Sequence, residues 1–227
     1  MYELYIGNKN YSSWSLRPWV LMKELDIPFK ETLVPFTAAR HEEYLKFSPS
    51  GKVPTLDDHG TVVWDSLAIT EYLAERYGRV WPLDPEARAF ARSAAAEMHS
   101  GFSALRNACT MNCGVRVEMT ERSPALLADV ARIAKLWEEG IHRFGGPFLA
   151  GRRFTGADAF YCPVAFRAQT YGILNEGVAG EYVQRLLALP AMQDWYKSAV
   201  AETWRWPSSD EDARNAGKIT ADFRAAA

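Results

Sequence analysis

The chain has 227 residues, 48% of them hydrophobic and 13% aromatic, enough to bury a sizeable core in one large domain or two modest ones. With 26 Lys and Arg against 28 Asp and Glu, and no basic run interleaved with aromatics, it lacks the field that would hold nucleic acid or an anionic membrane. Three cysteines, Cys109, Cys113 and Cys162, are an odd count without His or Cys partners at coordinating spacing, which predicts reduced thiols and no metal site.

The stretch MYELYIGNKN carries Glu3 and no long apolar run, so it reads as neither a secretory signal nor a membrane span, and a cytoplasmic protein is expected. Up to about residue 78, short strand-like runs alternate with helical ones. The strands are YELYIG, FKETLVPF, VPTLDD and TVVW, the last two joined by the turn-forming DHG as a hairpin. Helices are expected near residues 15–26 and 66–77, the second from the spacing of Ile69, Tyr72, Leu73 and Tyr77. In the linker GRVWPLDPEARA, Gly78 stops one helix, while Asp84 and Pro85 offer an N-cap and a first-turn proline for the next. Beyond it only helical periodicity is predicted, near 85–115, 125–144, 156–171, 177–188 and 190–203, followed by a polar surface tail from Ser208. The domains expected are thus 1–78, a linker at 79–85, and a helical 86–227.

The cluster NYSSWSLRP stands where the first strand hands over to the first helix. Pro18 has no N–H and belongs in a first turn, so the helix is expected to start near Ser15 as N-cap, with Ser12 and Ser13 in the loop at its partly positive end. Hydroxyls there can serve an anion such as a thiolate, or simply satisfy loose backbone groups. In SPSGKVPTL, Pro54 can take only the first or an edge position of a strand. A cis Val53–Pro54 bond would turn the Val53 backbone toward a peptide-like ligand, and an ordinary turn fits equally. In WDSLAITEYL, Asp65 and Ser66 sit at a helix start, able to hold an ammonium and a carboxylate or merely to cap.

These three segments, in this order, resemble the cytosolic glutathione transferase superfamily, and the likeness continues through WPLDPEARA and FTGADAFYCPVA to cover nearly the whole chain except the tail. The resemblance implies an α+β fold, with a thioredoxin-like β-α-β-α-β-β-α domain followed by an all-helical one. It implies a detoxifying enzyme with glutathione as co-substrate and no metal, a small electrophile as second substrate, and a homodimer. Glutathione would pair with the Val53 backbone beside Pro54 and touch Lys52, with Asp65 and Ser66 holding its γ-glutamyl end and Arg40 or His41 its glycyl carboxylate. SSWS looks most like the Ser-Ser-Cys-Ser of the zeta-like group, which with the theta-like one is serine-type. A bacterial serine-type member is therefore expected, with Ser12 as the thiol-activating hydroxyl and Ser13 as second choice. Tyr5 and Tyr11 match no tyrosine-type motif. Trp14 stands where the zeta-like isomerases carry cysteine, which disfavours a zeta-type isomerase; a non-catalytic glutathione-binding relative is the other alternative. Trp14, Met98, His99, Phe102, Arg106 and Met111 are expected around the electrophile, and Trp204 and Trp206 either over the core or closing the pocket. Thr155 and Asp158 form the expected N-capping box, behind Phe154, of a helix that Pro163 should kink.

Overall fold

The computed structural model describes residues 1–36 and 40–226, with the backbone alone at 40 and 41. Its first elements are β1 (Tyr2–Ile6), α1 (Ser13–Glu24), β2 (Phe29–Leu33), α2 (Arg40–Leu45), β3 (Thr55–Asp58), β4 (Thr61–Trp64) and α3 (Ser66–Ala74). The four strands form one sheet in the order β2-β1-β3-β4, β1 parallel to β2 and antiparallel to β3. In that register Leu4 faces Leu56, and both are fully buried with Ile6, Leu16, Val20, Ile69 and Leu73 between sheet and helices. The β3–β4 hairpin closes as its sequence predicts: His59 (φ 51°) and Gly60 (φ 95°) take the left-handed conformations that a tight hairpin turn requires.

The remainder is mostly helical: α4 (Pro85–Ser100), α5 (Ser103–Ala108), α6 (Pro124–Phe144), α7 (Gly156–Tyr171), α8 (Gly177–Leu187), α9 (Pro190–Ala201) and α10 (Pro207–Ala216). Asp84 caps α4 by accepting the Ala87 N–H at 2.8 Å, and Ser123 does the same for α6 through Leu126. Helix α7 runs through the middle, nearly all of its residues buried. Where α7 begins, Gly156 donates to the Val80 carbonyl at 2.7 Å, and a Cβ there would come within 2.8 Å of the Trp81 ring. Only glycine lets the linker lie this close. Among the described residues no helix is long and apolar enough to cross a membrane.

Four sequence expectations need correction. Helix α1 starts at Ser13 with Ser12 as its N-cap, which puts Pro18 inside the helix, where its missing N–H leaves the Trp14 carbonyl without its i+4 donor. Helix α3 stops at Ala74, three residues short of the expected end. The long helix of 85–115 is broken at Gly101 and Phe102, the latter at φ 57°, so that α5 turns away from α4. Finally, the expected tail is α10 followed by a strand, β6 (Gly217–Asp222), which pairs antiparallel with β5 (Val115–Met119). The alternation Val115-Arg116-Val117-Glu118 carried that strand signal, but its partner lies about a hundred residues away in sequence.

The capping box of α7 extends into a buried network. Asp158, fully buried, accepts from the Thr155 N–H (2.8 Å) and hydroxyl (3.0 Å), the Leu149 N–H (3.0 Å) and the Tyr182 hydroxyl (2.6 Å). We expect Asp158→Ala, which strands those donors, to lower unfolding free energy by about 3 kcal/mol in denaturant titrations. A loss near 1 kcal/mol would reduce Asp158 to an ordinary cap.

Candidate functional site

The loop between β1 and α1 is held from three sides. Internally, the Asn8 carbonyl accepts from the Tyr11 and Ser12 N–H groups at 3.1 and 2.8 Å, and Asn8 Oδ1 accepts from Phe36 N–H at 2.7 Å. From the C-terminal elements, Glu202 Oε1 accepts the Lys9 N–H at 2.8 Å, Trp195 Nε1 donates to the Lys9 carbonyl at 2.8 Å, and Cys113 N–H donates to the Asn10 carbonyl at 3.1 Å. A buried polar chain completes the hold. Asn10 Nδ2 donates to Asn112 Oδ1 at 2.8 Å, and Asp210 Oδ1 accepts from Asn112 Nδ2 (3.0 Å), the Tyr11 hydroxyl (3.1 Å) and Arg224 Nη1 (2.5 Å). Arg224 is held further by Asp222, and these carboxylates keep its guanidinium above its ordinary pKa.

The two candidate serines are thereby fixed in different roles. Ser12, 5% exposed, donates its hydroxyl proton to Ser15 Oγ at 2.7 Å and accepts the Ser15 N–H, so it works as the helix cap. Ser13 is more open, and its oxygen accepts from Arg167 Nη2 at 3.3 Å, which leaves its proton available. Both line a cavity of about 340 Å³ together with Trp14, Lys52, Val53, Arg106, Met111 and Arg167.

An adjoining cavity of about 460 Å³ shares Trp14, Lys52 and Val53 and adds Pro54, Asp65 and Ser66. Here the Val53–Pro54 bond is cis, and the turn before it is tied by Ser48, whose hydroxyl donates to the Lys52 carbonyl at 2.7 Å. Asp65 caps α3 from a left-handed backbone (φ 75°), accepting the Leu67 N–H at 2.7 Å. A non-glycine residue rarely adopts that conformation, and it marks the spot as locally strained. Its other oxygen lies 3.6 Å from His99 Nε2. Burial lowers the His99 imidazole below its ordinary pKa against the pull of Asp65, which favours the neutral ring. Ser66 is buried and its hydroxyl accepts from Arg17 at 3.4 Å.

Trp14 packs between the sheet region and the helices. Its ring is covered by Arg17 and Arg106, each guanidinium carbon 4.2 Å from the ring centroid, with His99 edge-on at 5.3 Å. Of the residues expected around an electrophile, Trp14, Arg106 and Met111 line the cavity of Ser13, whereas Met98 and Phe102 are buried core and His99 lies behind Trp14. The side chains of Arg40 and His41 lie outside the described residues. Trp204 is half-exposed and Trp206 stacks edge-on against Phe36 at 5.8 Å, so neither covers the core. Sequence reading passed over Arg167, although it and Asp158 are the only charged residues in α7; the Asn10–Asp210–Arg224 chain had no local signal.

Comparison with known proteins places this architecture. The family model described as glutathione S-transferase, N-terminal domain, matches residues 11–76. A probable maleylacetoacetate isomerase of Caenorhabditis elegans is 34% identical over 172 residues, covering 75% of this chain and 80% of the relative. The chain belongs to the glutathione transferase superfamily. A zeta-class glutathione S-transferase of Euphorbia esula is 29% identical over 175 residues, covering 74% of this chain and 76% of that one. A Burkholderia glutathione transferase homolog, solved with bound glutathione, superposes with a TM-score of 0.65 at 24% identity over 87% of this chain and 97% of its own. That likeness establishes the glutathione transferase fold for the sheet and its helical partner.

Because the site loop of this glutathione transferase relative hangs on Asp210, we expect Asp210→Ala to loosen both ends of the network. Amide hydrogen exchange in β6 and in the loop should accelerate together, with a stability loss of about 2 kcal/mol. Exchange confined to β6 would show that the loop is held without it.

Proposed function

We propose that the chain binds glutathione along the two joined cavities and activates its thiol for attack on an electrophilic co-substrate, in conjugation or peroxide reduction. The observation that carries this reading is Ser13, its oxygen held by Arg167 and its proton free, on the wall of a cavity continuous with the Val53–Asp65–Ser66 rim. The Val53 backbone would pair with the cysteinyl unit beside Pro54, with Lys52 close by. Asp65 would meet the γ-glutamyl ammonium, and the Ser66 N–H and hydroxyl, at the positive end of α3, its carboxylate.

A hydroxyl donating to sulfur stabilises the thiolate over the thiol, and Arg167 makes that hydroxyl a better donor by pulling on its oxygen. Engagement of the Ser12 proton by Ser15 supports giving the role to Ser13, the second choice from sequence. The ionised sulfur then attacks the electrophile while its proton leaves to solvent, and holding both reactants in one cleft supplies the entropic advantage.

The Caenorhabditis elegans relative favours a second reading, a zeta-type isomerase. Against it, the position after the two serines is Trp14, wedged between Arg17 and Arg106, which offers no thiol. Superfamily membership also supports a homodimer, and a monomer boundary in sedimentation velocity would count against that.

Glutathione binding by calorimetry, followed by thiolate absorbance of the bound tripeptide against pH, tests the main reading. Binding with an unshifted thiol would leave a non-catalytic binding protein. We expect Ser13→Ala to raise the bound thiol's pKa by about one unit, about 1.4 kcal/mol of thiolate stabilisation. Ser12→Ala should instead lower protein stability by about 1 kcal/mol with little change in that titration. The opposite pattern would return the role to Ser12.

A further inference from the structure

Three guanidinium groups gather where α1, α5 and α7 meet, and their hydrogen bonds go to neutral oxygens. Arg17 donates to the Ser66 hydroxyl, Arg106 to the His99 carbonyl, and Arg167 to the Cys109 carbonyl and the Ser13 hydroxyl. Among the described residues none of the three makes an ion pair, and the buried Nε atoms of Arg17 and Arg167 find no acceptor. Asp65 is the carboxylate whose field reaches Arg17, and it stands beside His99. Burial and mutual repulsion depress Arg17 to about 9 and Arg167 to about 10, which still leaves both charged at neutral pH.

Buried cations with only neutral partners are an unbalanced arrangement, and an arriving anion gains both the Coulomb attraction and the unused donors. The cavity beside Ser13 offers access: its charged lining residues are Lys52, Arg106 and Arg167, all cations. A planar carboxylate suits a guanidinium fork better than any neutral group does. The geometry points to a co-substrate that bears a carboxylate, received by Arg106 and Arg167 while its reacting end faces the sulfur at Ser13. This rests on the glutathione reading and goes beyond it by naming the charge class of the second substrate.

Three S-substituted glutathiones test it by calorimetry on the full chain without requiring turnover: S-benzylglutathione, S-(4-carboxybenzyl)glutathione and the isosteric S-(4-carbamoylbenzyl)glutathione. We expect the carboxylate to bind at least tenfold tighter than the carbamoyl ligand, with the ratio falling toward one in Arg106→Met and at raised salt. Equal affinities, or preference for the carbamoyl ligand, in the unaltered protein would overturn the inference while binding of S-benzylglutathione left the glutathione reading intact. Failure of all three to bind would overturn both. A ratio that survives both Arg106→Met and Arg167→Met would also overturn it, because the anion would then be held elsewhere.

Discussion

The arrangement of this site depends on the grip that the C-terminal elements exert on residues 8–12. Glu202, Trp195, Cys113 and Asn112 all bond to that loop, and Asp210 closes the network through Tyr11 and Arg224. Most of the loop is buried, where an unpaired polar group is expensive, and the Lys9 and Asn10 backbones and the Asn10 and Tyr11 side chains find partners in distant segments. The positions of Ser12 and Ser13 follow from this, since helix α1 begins where the loop releases it.

Helix α1 then transmits that placement to the charge pattern. Beginning at Ser13, it turns Trp14 toward α4 and α5 and Arg17 under the Trp14 ring, so the indole separates two like charges. Had the helix begun at Ser15, these side chains would point elsewhere. The positive wall of the cavity and the position of the Ser13 hydroxyl are therefore two outcomes of one helix start.

Much of the fold was legible because its signals are local. The DHG turn, the Asp84–Pro85 start of α4 and the Thr155–Asp158 box each need only a few neighbouring residues to be read, and the structure contains all three. The start of α1 departs from the local rule that proline belongs in a first turn, because the Ser12 cap and the surrounding loop bonds hold Pro18 inside the helix. Strands β5 and β6 escape a local reading because they pair across about a hundred residues, with no turn between them to mark a hairpin. Trp14, Lys52, Val53, Asp65 and Ser66, which stand in three separate motifs, line one cavity, but Arg167 reaches Ser13 from 154 residues away. No linear pattern records that meeting.

The pairing of β6 with β5 and the tie from Arg224 to Tyr11 bear on how the molecule comes into being. Synthesis is vectorial, so the sheet and α1 leave the ribosome long before residues 202–224 exist. Until those residues emerge, the Lys9 and Asn10 N–H groups and the Tyr11 hydroxyl lack the acceptors they meet in the finished fold. The cleft is accordingly completed only once residues 202–224 have emerged and joined the loop.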